Sequence, residues 1–198
     1  MNKILVASAM IVLFLSGCAS VPTELPEVAS HSAFAAQTSG GCPSLANMSD
    51  DALTQTHKMA NKVCAAAMTS PETYSIAVTD LWSDSGANII HEPNGLPGDG
   101  MVSKEDNENA SKARDSVSYE LMPDFHLDRV DGKVVGTTFW IFYHRVGTLA
   151  TGKKLDAPIA GRFITRDGKI VDVRLTIDFS TLTDFIAAQR EWAAKNVK

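Results

Sequence analysis

The feature that most narrows the fold is the stretch 125–179, in which apolar and polar residues alternate almost without interruption. Residues 125–130, 134–148, 155–166 and 169–179 each read as a strand, because a period of two sends one face toward a core and the other toward solvent. Asp131-Gly132 and Asp167-Gly168 are pairs that favour two-residue hairpin turns, and Thr151-Gly152 with Lys153-Lys154 supplies the middle connection. Strands joined this way form an antiparallel meander. Its apolar face has to be covered by another part of the chain.

Helical segments on either side provide that cover. Ser49 is placed to cap a helix, with Asp50 and Asp51 at its positive end. Leu53, His57, Ala60, Cys64 and Ala67 then recur at helical spacing and mark a buried stripe. Ser70-Pro71-Glu72 opens a second helix carrying Tyr74, Ala77, Val78, Leu81 and Trp82, which Ser85-Gly86 breaks. Residues 87–91 read as a short strand and 93–102, rich in Pro and Gly, as a loop. A polar third helix starts at Ser103-Lys104-Glu105-Asp106 and reaches about Tyr119. After the meander, Thr181 is placed to cap an amphipathic helix with Leu182, Phe185, Ile186, Gln189, Trp192 and Ala193 on one face. The expected architecture is α+β: a curved antiparallel sheet wrapped around N-terminal helices, with an added C-terminal helix.

The N-terminus carries different information. Lys3 and the apolar run 4–15 have the layout of a secretory signal, and the run is shorter than the ~20 apolar residues a membrane-spanning helix needs. It ends in Leu15-Ser16-Gly17-Cys18, which resembles the lipobox of bacterial lipoproteins. The resemblance implies removal of residues 1–17 and a diacylglycerol on Cys18, a stable membrane anchor at ~0.8 kcal/mol per buried CH₂. Resemblance to the sorting rule of Gram-negative lipoproteins implies one step more: Ala19, rather than Asp, follows the cysteine, which favours delivery to the outer membrane, facing the periplasm, in a two-membrane cell. Residues 18–41 then form a lipidated tether rich in Ser, Ala, Pro, Thr and Gly, with His31 solvated in it, and 42–198 one domain. Loss of residues 1–17 removes only Lys3 from the charge count, taking −5 to −6. A mildly acidic body gives no electrostatic case for nucleic acid.

Export also changes what Cys42 and Cys64 mean. In an oxidising compartment they are an even pair. Either they form a disulfide, which folds the N-terminal segment back along the first helix, or Cys64 is a small core residue and Cys42 is free. Neither has a second Cys or His at metal-ligand spacing, so no metal site is expected.

Two segments resemble the nuclear transport factor 2-like superfamily, in particular its SnoaL-like branch. Trp82-Ser83-Asp84 through Ile89-Ile90-His91-Glu92-Pro93 is similar to that branch's second helix, first strand and following loop. Gly161-Arg162-Phe163, Asp167-Gly168-Lys169-Ile170 and Asp178 are similar to its last hairpin. The resemblance covers roughly residues 45–180. It implies a cone-shaped sheet around an apolar cavity, shared by isomerases, cyclases, dehydratases, hydrolases and non-catalytic binding domains, and in many members a dimer formed through the sheet.

The candidate site residues follow from both readings. Asp178 matches a position that supplies a pocket carboxyl in catalytic members, where an apolar cavity raises the pKa toward useful proton transfer. Strict alternation instead sets Asp178 on the face opposite Val171, Val173, Leu175 and Ile177, where it would shape the turn into the last helix. His91, at the end of the first strand beside Glu92, is the second candidate acid, base or ligand anchor. Trp82, Trp140, His144 and Arg162 are the expected pocket residues, with ordinary core packing the other reading of Trp140 and Phe142, the aromatics that share a face with His144. Arg162 and Arg174 either clamp a carboxylate or phosphate or pair with Asp172 and Asp178 in a surface ladder. His57 is expected toward the core and His126 on a strand surface. No G-x-S-x-G, phosphate-binding glycine loop, H-E-x-x-H or cofactor signature occurs. The readings this leaves are a tethered domain that binds a small apolar or amphipathic molecule, a cofactor-free enzyme using Asp178 and His91, and a dimerising envelope module.

Overall fold

The computed structural model describes residues 41–43, 51–93, 95–96 and 99–196. The signal segment, Cys18, the tether up to residue 40 and the Ser49 cap lie outside the described residues. In chain order the elements are α1 (Asp51–Ala67), α2 (Pro71–Asp80), β1 (Ala87–Glu92), β2 (Gly100–Val102), α3 (Lys104–Leu121), β3 (His126–Val135), β4 (Thr138–Thr148), β5 (Lys154–Arg166) and β6 (Lys169–Ile177). A 3₁₀ turn (Phe179–Leu182) and α4 (Thr183–Asn196) complete the chain.

The six strands form one curved, unclosed sheet in the order β2-β1-β6-β5-β4-β3. The expected meander is its antiparallel part, β3 to β6. The early strand β1 joins the free edge of β6 in parallel, which makes the sheet mixed, and β2 extends that edge as a short antiparallel strand inside the expected loop. Asp167 and Gly168 both take positive φ, 51° and 72°, as a two-residue turn between β5 and β6 requires.

Local signals set the helix boundaries. Ser70 and Thr73 form a capping box at the start of α2, with Pro71 in the first turn where its missing N–H costs nothing. Ser103 caps α3 through the Asp106 N–H. The last helix starts differently from expectation. Asp178, rather than Thr181, is the cap, and it opens the 3₁₀ turn that leads into α4.

Asp131-Gly132 is not a turn. β3 continues through it after a bulge between Asp128 and Asp131, and the reversal comes at Gly136, whose φ is 58°. The pair serves the N-terminal strap instead. Gly41 N–H donates to Asp131 Oδ1 at 3.0 Å, and Gly132 N–H donates to the Gly41 carbonyl at 3.2 Å. A Cβ on Gly132 would stand 2.8 Å from Pro43 Cδ and 3.4 Å from Cys64 Sγ, so only glycine lets the strap lie this close. A disulfide joins Cys42 to Cys64 and fixes the strap to α1.

The core lies between α1, α2 and the inner sheet face. Met59, Ala60, Val63, Cys64 and Ala67 of α1 are buried, and α1 packs directly on β3 and β4. Phe139 and Phe163 stack across β4 and β5 with centroids 4.7 Å apart. Among the described residues no helix is long and apolar enough to cross a membrane.

With the bridged cysteines 22 positions apart in sequence, opening the loop is expected to destabilise the domain by about 3 kcal/mol. Urea unfolding with and without reductant, compared with the Cys42→Ser/Cys64→Ala pair, measures this; equal midpoints would refute it.

Candidate functional site

The functional candidate follows from how α3 meets the sheet. α1 packs closely on β3 and β4, whereas α3 packs on α2 and α4. The buried positions of α3 are Ser111, Asp115, Val117 and Ser118, three of them polar. Small and polar groups cannot fill the space over β6, β5 and β4, and a cavity of about 190 Å³ remains there.

Its walls are mostly apolar. Val78 and Trp82, the α3 alanines 110 and 113, Phe163, Val173 and Leu175 from the sheet, and Phe179, Phe185 and Ile186 from the C-terminal segment all face it. Trp82, at the end of α2, is fully buried and fixed in place. Its Nε1 donates to the Val102 carbonyl at 3.0 Å, and its backbone bridges to Ile170.

Polar groups enter the cavity at separate places. On β1, His91 lines it with Nδ1 2.6 Å from Asp99 Oδ1, and each side chain is 17% exposed. The other Asp99 oxygen accepts the backbone N–H groups of His91 and Leu96, at 2.9 and 3.0 Å. Partial burial opposes its charge, but the bonds from the His91 ring, His91 N–H and Leu96 N–H outweigh this and hold its carboxyl below the ordinary value. The ionised Asp99 thereby fixes the ring orientation and favours the tautomer with hydrogen on Nδ1.

The second polar group lies between α2, α3 and β4. Ser75 Oγ donates to Asp115 Oδ2 at 2.7 Å, and Arg114 donates to Asp115 Oδ1 and to Ser75 Oγ. Burial opposes the Arg114 charge, but Asp115 beside it prevails and raises its pKa. Arg145, from β4, donates to Ser118 Oγ at 2.9 Å and lies over the rings of Phe125 and Phe185. Burial, followed by repulsion from Arg114, lowers its pKa to about 10, so it is still a cation at neutral pH.

The structure brings together some of the expected residues and separates others. His91 and Trp82 line the cavity. Trp140, His144 and Arg162 do not, because the inward residues of β4 and β5 are those of opposite parity: Phe139, Ile141, Tyr143 and Arg145, with Ala157, Ile159, Gly161 and Phe163. Trp140 lies opposite Lys133 and Arg162 on the outer face, and His144 bonds Asp156, which Arg129 also holds. Arg174 pairs with Asp172 and Glu92 in an outer ladder, the second reading of that arginine, although Asp178 is not part of it. Asp178 is exposed, accepts from Ser180 N–H and Oγ, and is outside the cavity lining that contains His91. The partner His91 does have is Asp99, a residue the sequence reading passed over inside the Gly/Pro loop. Arg114, Asp115 and Arg145 were also missed. His57 is half-buried and His126 exposed. Among the described residues no three His, Cys, Asp or Glu side chains cluster as metal ligands.

A helix-covered, curved mixed sheet around an apolar cavity defines a class, the cone-shaped α+β domains. Within it, the chain has the nuclear transport factor 2-like fold. A nuclear transport factor 2-like protein from Burkholderia thailandensis E264 matches with a TM-score of 0.50 and 17% identity, over 65% of this chain and 95% of that one. A phenazine biosynthesis-related protein from Pseudomonas aeruginosa matches with a TM-score of 0.50 and 14% identity, over 72% of this chain and 88% of that one. At such identities the likeness is one of fold alone. No family model and no curated protein matches the sequence.

Asp99 gives the His91 side of the cavity a pH dependence with a definite sign. Its native pKa lies below the unfolded value of about 4. Its contribution is therefore complete above about pH 4 and is lost as pH falls through the lower native value. Asp99→Asn is expected to cost about 1–2 kcal/mol at pH 7 and to flatten the stability profile below about pH 4. Denaturant unfolding across that range checks both; an unchanged acid limb would remove the assignment.

Proposed function

We propose that this chain is a lipid-anchored envelope protein whose cone-shaped domain binds a small amphipathic molecule in the cavity. The observation that carries the binding reading is a largely apolar cavity entered by a few fixed polar groups, the usual composition of a small-molecule site. Its volume of about 190 Å³ suits a compact molecule of one or two rings, given that ~150 Å³ of apolar void accepts benzene. The anchor rests on the sequence 1–18, whose short apolar run ends at Cys18. The disulfide between Cys42 and Cys64 agrees with an oxidising compartment.

One observation favours catalysis as a second reading. His91 lines the cavity and is oriented by an ionised Asp99, the pairing through which a histidine becomes a positioned general acid or base. In that reading Asp99 takes the orienting role, and the exposed Asp178 caps the 3₁₀ turn.

Two measurements test the proposal. Filling the cavity with Ala113→Phe is expected to weaken binding of a naphthalene-sized probe at least tenfold, read by Trp fluorescence titration, while the unfolding transition stays cooperative. Undiminished binding would place the probe elsewhere. For the anchor, Cys18→Ser is expected to prevent lipid attachment and processing of residues 1–17. Metabolic labelling with a radioactive or alkyne fatty acid reads it directly, and equal label on both proteins would refute the lipid site.

A further inference from the structure

The cavity holds a cation that the protein does not neutralise. Arg145 projects from the inner face of β4, between Leu127 of β3 and Ala157 of β5, into a space walled by hydrocarbon. A guanidinium carries five N–H donors. Among the described residues, Arg145 has one hydrogen bond, to the neutral Ser118 hydroxyl, and no carboxylate forms an ion pair with it. The Phe125 and Phe185 rings, 4.9 and 5.4 Å from its central carbon, attract the charge without supplying a counter-ion.

The groups around it explain why the charge stays open. Asp115 is the nearby acid, but its two oxygens are already bonded to Arg114 and Ser75. Ser118 Oγ, which accepts from Arg145, itself donates to the Arg114 carbonyl, so that hydroxyl is also committed. Arg114, Asp115 and Arg145 together leave one net positive charge beside the cavity. A half-buried cation held among hydrocarbon with no carboxylate partner gives up hydration that nothing in the protein fully replaces, and the planar fork of arginine fits the two oxygens of a carboxylate.

On the ligand-binding reading above, we infer that the cavity takes a small organic acid with a compact hydrocarbon body, its carboxylate held by Arg145. The hydrocarbon body replaces water against Trp82, Phe163 and Leu175, and the carboxylate supplies the charge that Asp115 cannot. A neutral molecule of the same shape fills the same space but leaves Arg145 uncompensated. The acid is therefore favoured by electrostatics and not by fit.

The test compares 1-naphthoate with 1-naphthalenemethanol, two probes that share a ring frame and differ in charge, by isothermal titration of the purified protein at pH 7.5. The acid is expected to bind at least tenfold more tightly. In Arg145→Met that preference is expected to vanish while the alcohol's affinity stays within about threefold; Arg145→Lys, which retains the charge but not the fork, is expected to keep part of it. Equal binding of acid and alcohol by the unmodified protein overturns the inference and leaves the cavity-binding reading standing. Failure of both probes to bind overturns both. A preference that persists in Arg145→Met assigns the anion site to another group and also overturns the inference. If Arg145→Met does not fold, the comparison on the unmodified protein together with Arg145→Lys still decides.

Discussion

The cavity depends on what α3 cannot do. Its inward positions are short or polar, so the helix cannot interdigitate with the aromatic inner face of the sheet. It is held instead by α2 and α4, through contacts such as Asn107 to Thr79 and the Ser75–Asp115–Arg114 triangle. α1 has the opposite chemistry. Its buried alanines, Val63 and the disulfide-bonded Cys64 permit close approach to β3 and β4, and the strap at Gly41–Pro43 is sealed onto the same end. One end of the cone is therefore close-packed and the other is open space. The asymmetry originates in the composition of two helices, not in the sheet that both of them cover.

Within the open end, polarity is distributed and not random. His91 and Arg145 stand on β1 and β4, with β6 and β5 between them. Three strand spacings of about 4.8 Å separate the two strands, and the register sets His91 across from Ile141, four residues along β4 from Arg145. The carboxylate nearest His91 is Asp99, which is consumed by ring and backbone donors; the one nearest the arginines is Asp115, consumed by Arg114 and Ser75. Both acids are thus fully used in building the walls. What remains presented to the cavity is an imidazole on one side and an uncompensated guanidinium on the other, with hydrocarbon between. That pattern suits a molecule with an anionic terminus and a body too small to reach solvent.

Much of this was legible in the sequence, and the failures fall where the answer depends on what another part of the chain places alongside. The alternation along β4 is real, but both of its parities are aromatic: Phe139 and Tyr143 on one side, Trp140 and Phe142 on the other. Period alone identifies two faces without saying which is inner. Choosing the Trp140 set misplaced His144 and Arg162 and hid Arg145, which reads as an ordinary surface arginine until the helices are seen to cover its face. Asp131-Gly132 misled for a related reason. Turn pairs mark places where a side chain is absent, and here the absence accommodates the strap from 41–43, which comes from a distant part of the chain. His91 was found because a strand end beside a loop is local information. Asp99 was not, since nothing in a Gly/Pro-rich loop indicates that its carboxylate folds back eight residues.

The cavity also carries a cost that bears on how it is used. A dry void of 190 Å³ would cost roughly 4–5 kcal/mol at ~24 cal/mol per Å³, comparable to the entire stability of a marginal domain. The polar groups at its edges admit water, which reduces that cost without removing it, because water cannot satisfy the apolar walls between them. A ligand that fills the walls and neutralises Arg145 relieves both deficits together. Occupancy and stability are then linked, since any molecule bound only by the native state stabilises it by an amount that grows with the ratio of free ligand to Kd. The small inward side chains of α3 thus reduce the stability of the empty domain, and in the same positions they leave room for a molecule that Arg145 of β4 can face.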